Sequence, residues 1–551
     1  MKPSRLPALA AAMVAPLAPM NAETDYATAV PKLEAAVRQE MQDWGIGGVA
    51  LALTDGTRIV HTGGFGEADV DSVFRAGSIS KLFNAMAVMQ MVEAGRIDLD
   101  APLSDFPILA LPHHPFPDAP PVTVRQLLCH RSGLQRESPV GGYFDSTEPT
   151  LAATCESLAG CVIATPPVVR TRYSNIAPSL AGHVVATLAG QPFERYQQER
   201  LLGPLGMDHS VWRRTDVAGG RVIVSRMRIA DGKGGFVRAE APLFDLGTIP
   251  AGNLFTTAPD LAKFLVELAR AMRGESTVLR PSTVAEMWRP QFDEAAGFGI
   301  AFVIGKFRHH RSVGHNGAVY GHSTALVFLP ESQLGVVVLG NEDIVNARIG
   351  RLADLALSLM LEVKTGEKAP ASANESALSA AAPPLDGFAG NFESRSFWAQ
   401  WHVETGRLVG NCASQPCTLT RRGDWEFLLN SRLHSDALVV FHRDAAGAIA
   451  GFTVGPQTFS RVAEPAPTLP ELWKRYLGQY GPDFIPLVVH EKFGHLYVTT
   501  ENMVDYRMTP VNRHVFGLPP GMYVDELAVF LCDAAGQPHS IDFASMTFPR
   551  R

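Results

Sequence analysis

Residues 82–94 read Leu-Phe-Asn-Ala-Met-Ala-Val-Met-Gln-Met-Val-Glu-Ala, good helix formers without proline, and Gly95 closes the run. Apolar residues cover nearly every face of that helix, so it is expected inside a large domain. Ahead of it, 47–54 reads as a strand, Asp55-Gly56 as a hairpin turn and 58–62 as the returning strand. An amphipathic helix is expected over about 26–39. Further helices are predicted at 124–130, with Thr123 as N-cap, at 176–188, with Pro178 in its first turn, at 257–270 and at 347–362. Strands are predicted at 298–305, 323–329 and 334–340. Strands around a buried helix predict an α/β (α+β) domain with an antiparallel sheet.

The pattern changes after that. Residues 365–384 are rich in Ala, Ser, Glu and Pro without apolar periodicity and read as a linker. The remainder repeats itself. Phe388-x-Gly390-x-Phe392 is answered by Tyr476-x-Gly478-x-Tyr480, and Gly406-x-Leu408 by Gly494-x-Leu496, both at an offset of 88. Phe427 is answered by Phe516, and Asp444-Ala-Ala-Gly447 by Asp533-Ala-Ala-Gly536, at 89. Short apolar runs between turn signals predict two antiparallel β-barrels, 385–463 and 464–551, behind a first domain of 23–364.

Composition narrows the function. The chain has 551 residues, 46% of them hydrophobic, enough for several cores. A net charge of −7 gives no reason to expect nucleic acid, and the body of the chain lacks an apolar run long enough for a membrane span. Lys2 and Arg5 precede the apolar segment 6–18, as in a secretory signal peptide cut after Ala22, which predicts a periplasmic or secreted protein. The six cysteines fit export: Cys155 with Cys161 and Cys412 with Cys417 could each close a small disulfide loop, and Cys129 and Cys532 read as single buried thiols. His113-His114 and His309-His310 are adjacent pairs, and neighbours on a strand point opposite ways. His490 and His495 lack a His-Glu-x-x-His pattern. No metal and no cofactor are expected.

The chemistry centres on Ser78-Ile-Ser-Lys81, the one place where Lys follows Ser by three residues. That spacing puts hydroxyl and amine on one helical face. At a helix start the Ser78 N–H lacks an intrahelical partner, and an amine beside an apolar run is costly to charge. Hydroxyl, amine and free N–H are three parts of an acyl-transfer site. Tyr173-Ser-Asn175, the only Tyr-x-Asn, could carry a proton to a leaving group and hold substrate. His315-Asn-Gly317, just before a strand pair, could bring a second backbone donor close, since glycine admits close approach. Lys364-Thr-Gly366 is set aside because no strand follows it.

In this order the three motifs resemble the serine hydrolases that include penicillin-binding proteins and class C β-lactamases (peptidase family S12), over about 30–362. The stretches 127–134 and 205–207 also look like recurring parts of that family. The resemblance implies Ser78 as nucleophile, Lys81 as general base, Tyr173 as proton carrier, and Asn175 as substrate contact and support for Lys81. It implies His315 in place of the usual lysine, an oxyanion hole from the backbone N–H groups of Ser78 and Ala318, and Asn175, Gly317 and Ala318 as substrate-binding positions. A histidine there weakens the fixed positive charge that would hold a β-lactam carboxylate. With two C-terminal barrels, the chain most resembles the D-stereospecific aminopeptidases, in which a loop of the last barrel narrows the site. The implied partner is a small peptide, amide or ester. Esterase, β-lactamase or DD-peptidase action, a non-turnover penicillin sensor, and a homodimer stay open.

Overall fold

The structure, a computed structural model, describes residues 24–551 apart from 109, 233–234, 293–296, 370–377 and 380–381. The expected signal peptide lies outside the described residues.

Seven antiparallel strands form the central sheet, in the order Arg58–Gly66, Gly48–Asp55, Leu334–Gly340, His322–Leu329, His310–Val319, Val303–Phe307, Gly297–Phe298. Helices cover both faces, so the central strands are apolar throughout instead of alternating. Val49, Leu51, Leu53, Val336 and Val338 pack under the helices Val30–Trp44 and Asn346–Thr365. Ala50, Ala52, Val337 and Leu339 face the other way, onto Ser80–Glu93 and Ala258–Met272. Ser80–Glu93 is buried along most of its length, as its all-round apolar pattern requires.

The first helix spans Val30–Trp44, later than the 26–39 expected. Pro31 sits in its first turn, where a missing N–H costs nothing, and Gly45 ends it in the left-handed conformation. Lys364-Thr-Gly366 is not linker: Lys364 lies in the last turn of Asn346–Thr365 and Gly366 caps it at φ 77°. The Lys364 Nζ donates to Asp55 Oδ1 at 2.5 Å and to Ser332 O at 2.7 Å, tying the helix to the ends of the central strands.

Past the linker, Gly390–Glu393 to Gln457–Arg461 form a closed eight-stranded antiparallel barrel filled by Phe388, Phe392, Trp401, Phe427, Phe441, Phe452 and Phe459. The second unit repeats that strand sequence at nearly the same offset, from Gly478–Tyr480 to Met546–Pro549. Its fourth strand breaks at Met508 into Asp505–Arg507 and Thr509–Pro510, dividing the ladder into sheets of four and five strands. A bridge between Tyr480 and Arg550 joins their outer edges. Buried Asp505 of the second unit accepts from Trp398 Nε1 of the first at 2.7 Å, from Thr499 Oγ1 at 2.6 Å and from the Ser414 hydroxyl.

All six cysteines are free thiols here, so neither short loop is closed, and Cys532 is only partly buried. Among the described residues no helix is long and apolar enough to cross a membrane.

Replacing Lys364 by Ala removes a partner of the nearly buried Asp55 carboxylate. The expected result is a loss of about 1–3 kcal/mol in chemical unfolding with turnover unchanged. A fall in turnover without a loss of stability would give Lys364 a place in the chemistry.

Candidate active site

Ser78 sits in a tight turn, Gly77–Ile79, that leads into Ser80–Glu93. Gly77 has φ 56°, and a Cβ there would lie 2.8 Å from Ala318 N. A Cβ on Gly317 would lie 2.0 Å from Ala76 O and 2.3 Å from Thr324 Oγ1. Two missing side chains therefore let the Ser78 turn lie against the His310–Val319 strand. Pairing of that strand with Val303–Phe307 stops at Gly314, which leaves one ladder edge of 315–319 open. Val319 and His322 close a two-residue hairpin, so the next pair, Ala318 with Ser323, is of the non-hydrogen-bonded kind. The Ala318 N–H thus points out of the ladder, toward the Ser78 turn. The Ser78 N–H has no backbone partner among the described residues.

The polar groups form one connected chain. Lys81 Nζ lies 2.9 Å from Ser78 Oγ, 2.8 Å from Asn175 Oδ1 and 2.8 Å from Ala251 O. The Tyr173 hydroxyl lies 2.7 Å from Ser78 Oγ. Asn175 Nδ2 donates to Glu137 Oε1 at 2.6 Å, which fixes which end of the amide faces Lys81. Burial pushes the Lys81 amine well below its ordinary value, Arg136 adds to this and Glu137 opposes it. A neutral amine has two N–H bonds for Asn175 Oδ1 and Ala251 O, and its lone pair then faces the Ser78 hydroxyl. Burial raises the Tyr173 phenol to about 12, so it is a proton donor and acceptor that stays neutral.

Aromatic rings hold Tyr173 in place. His130 stacks on it at 4.2 Å between centroids, Phe298 and His315 stand 6.3 Å away, and the Arg136 guanidinium lies 5.5 Å over its ring. His130 Nδ1 accepts from Ser174 N at 3.2 Å. His315 Nδ1 lies 2.5 Å from Asn316 O, so it carries the proton, and the buried Nε2 has no hydrogen-bond partner among the described residues. Burial and nearby Lys81 lower His315 to about 4, so it is neutral near pH 7.

Ser78, Lys81, Tyr173 and Asn175 are therefore joined by direct hydrogen bonds, with His315, Gly317 and Ala318 along the adjoining strand edge. Glu137, Arg136, Ala251, His130 and Phe298 also belong to this site. Glu137 gave no sequence signal beyond following the 127–134 stretch, and Ala251 contributes only a carbonyl. Three further groups come from the second C-terminal unit. Glu501 Oε1 lies 3.6 Å from Arg136 Nε, the Tyr523 ring 5.7 Å from the Arg136 guanidinium, and Glu526 Oε1 accepts from Arg136 N at 3.0 Å. Two acids in tail loops are already paired, Asp525 with Arg170 and Asp483 with Arg551.

His309 and His310 do not diverge as neighbours on a strand would. Arg308, at φ 55°, puts His309 in a turn, and both rings reach Glu367, at 3.4 and 2.8 Å. Among the described residues this trio is the one candidate cation site, but Arg308 Nη1 already sits 3.0 Å from Glu367 Oε1.

Comparison with known proteins bears on the family and the fold. Residues 33–359, more than half of the chain, match the family described as Beta-lactamase, and the chain belongs to that family. Penicillin-binding protein 4 of Amycolatopsis lactamdurans is 27% identical over 51% of this chain and 76% of its own length. Among solved structures, the octameric penicillin-binding protein homologue from Pyrococcus abyssi superposes with a TM-score of 0.54 at 22% identity, over 78% of this chain and 99% of that one. D-amino acid amidase from Ochrobactrum anthropi SV3 superposes with a TM-score of 0.50 at 23% identity, over 60% of this chain and 100% of that one. The first curated relatives are matched over 60 to 79% of their own length. At these identities the superpositions establish the fold.

Because His315 is already neutral, His315→Gln is expected to leave the shape of the kcat/KM–pH profile between about pH 6 and 8 unchanged, whatever it does to the rate. A profile that loses a limb in this variant would show that His315 titrates there.

Proposed function

We propose that this protein is a serine hydrolase that works through an acyl-enzyme and releases N-terminal D-amino acids from short peptides or amides. In this reading the Lys81 lone pair takes the Ser78 proton as Oγ attacks the substrate carbonyl. The Ser78 and Ala318 N–H groups receive the developing oxyanion. Tyr173 passes the proton to the leaving amine, and Asn175 holds substrate while keeping Lys81 aimed. Water then repeats the attack on the ester.

The charge around the site carries the substrate reading. Among the described residues the ion pairs of Glu137, Glu501 and Glu526 are with Arg136 and Arg172, three carboxyls against two guanidiniums, all buried or nearly so. Burial raises all three carboxyls, Glu526 to about 7. An incoming ammonium would stabilise their charged forms, whereas an incoming carboxylate would meet neutral Lys81 and neutral His315. That balance favours a free amino group over the carboxylate of a β-lactam or a peptide C-terminus. The D-configuration rests on the resemblance of motifs and barrels to the D-stereospecific aminopeptidases and on the superposed D-amino acid amidase. A periplasmic or secreted location rests on the character of residues 1–22.

The test compares D-alaninamide, N-acetyl-D-alaninamide, L-alaninamide and a cephalosporin. The expected order puts D-alaninamide first, by about 10-fold or more in kcat/KM over the acetylated form, as one lost charge contact implies. Equal rates on the free and acetylated amides would overturn the amino-group reading.

Lys81→Ala and Tyr173→Phe are each expected to lower turnover by about 100-fold or more while melting stays near that of the parent. Retained turnover in either folded variant would remove that residue from the proton path.

His315→Lys restores a fixed positive charge, so it is expected to raise cephalosporin acylation and depress D-alaninamide turnover. Acylation can be followed by intact mass. No gain in acylation would mean that something other than charge at 315 excludes the carboxylate.

A further inference from the structure

We propose that Glu526, a residue of the second C-terminal unit, is a positioning residue for the reaction at Ser78. It locks together the two chain segments that carry Glu137 and Tyr173–Asn175. The proposal rests on the roles given above to Tyr173 and Asn175.

One carboxylate oxygen makes the lock. Glu526 Oε1 accepts from the Arg136 backbone N–H at 3.0 Å and from Arg172 Nη2. Both side chains of the Arg172–Glu526 pair are almost wholly buried, 2% and 4% exposed. Arg172 also donates to Val524 O in the same tail loop and, through Nε, to Leu134 O at 3.0 Å. Each tied residue stands next to a reacting part. Arg136 precedes Glu137, and its carbonyl accepts the Asn175 N–H at 2.7 Å. Arg172 precedes Tyr173, and its own N–H is held by His130 O at 2.7 Å. The Arg136 guanidinium in turn lies between the Tyr173 and Tyr523 rings, at 5.5 and 5.7 Å.

A buried carboxylate without a cation is costly, and so is a buried guanidinium without an anion. Neither Glu526 nor Arg172 can be left alone, so docking of the tail and ordering of the 172–175 segment occur together. The other oxygen, Glu526 Oε2, is buried without a hydrogen-bond partner among the described residues, so the tie they make runs through Oε1. The tail therefore does more than restrict access to the site. It holds the phenol that hands over the proton, without itself touching the reacting atoms.

Two measurements on full-length Glu526→Gln test this, with Asp525→Ala as control, since Asp525 pairs with Arg170 on the exposed rim of the same loop. The first compares D-alaninamide with p-nitrophenyl acetate. An amide must have its leaving nitrogen protonated, whereas p-nitrophenolate leaves without a proton. Glu526→Gln is expected to lower kcat on the amide by about 10-fold or more, with KM and the ester rate within about threefold. Asp525→Ala is expected to change neither. A parallel fall on both substrates would mean a general structural role and would overturn the proposal, as would no change on either.

The second measurement needs no substrate. Amide hydrogen exchange in Glu526→Gln is expected to quicken at 136 and 172–176 and to stay unchanged in the Ser80–Glu93 helix. Unchanged exchange in those segments would overturn the proposal. If the parent protein hydrolyses the ester but not D-alaninamide, the substrate reading fails and the exchange result still decides the role of Glu526. If Glu526→Gln does not fold, Arg172→Lys, which keeps the charge and loses the two-nitrogen reach, is carried through the same two measurements with the same expected outcomes.

Discussion

The amine of Lys81, kept from water, is the constraint on which the rest depends. An ammonium in that position would lose its hydration and would have to recover it from fixed acceptors. The fold supplies two, Asn175 Oδ1 and Ala251 O, and leaves the third direction to Ser78. A group held this way is stable as the neutral base, and that is the form that can take a proton from a hydroxyl. Around it, Tyr173, His130 and His315 are also uncharged near neutral pH because they too are buried. The candidate centre is a set of neutral donors and acceptors, and the formal charges of Glu137 and Arg136 stand one layer behind it.

That outer layer is where the C-terminal units enter. Glu501, Tyr523 and Glu526 converge on Arg136 and Arg172, which adjoin Glu137 and Tyr173 in the chain. Buried charges of this kind add little net stability, but they are intolerant of being separated, so they set a geometry. A second set of ties fixes the first barrel: Arg348 donates to Ser431 O, and Arg432 to Glu342. The two C-terminal units are joined through Asp505 and Trp398. Three units are thus fastened to one another by buried polar contacts.

Much of the fold was legible in the sequence because the relevant signals are local. The all-apolar 82–94 run needs burial wherever it is placed, and the Ser78-x-x-Lys81 spacing fixes two side chains on one turn. The tail repeat showed in turn glycines and aromatics, which mark strand ends and barrel interiors. Boundaries were less legible: the first helix starts at a proline that the apolar pattern did not weigh. The adjacent histidines 309 and 310 were misjudged because a residue at φ 55° turned the chain between strands.

The sequence by itself determined the Ser78 turn, the buried helix behind it, the order of the three motifs and the doubling of the tail. Each of these is written in residues within a few positions of one another, where spacing translates directly into geometry. Tertiary structure decided the rest. The strand after His315-Asn-Gly317 already favoured that motif over Lys364-Thr-Gly366 in the sequence, but only the tertiary structure sets it beside Gly77. Glu137 matters because it meets Asn175, 38 positions on, and Glu526 because it meets Arg172, 354 positions back. A carboxylate carries no mark of its partner in its neighbours along the chain. Its role is fixed by which distant group it is buried against, and that is settled only when the three units close on one another.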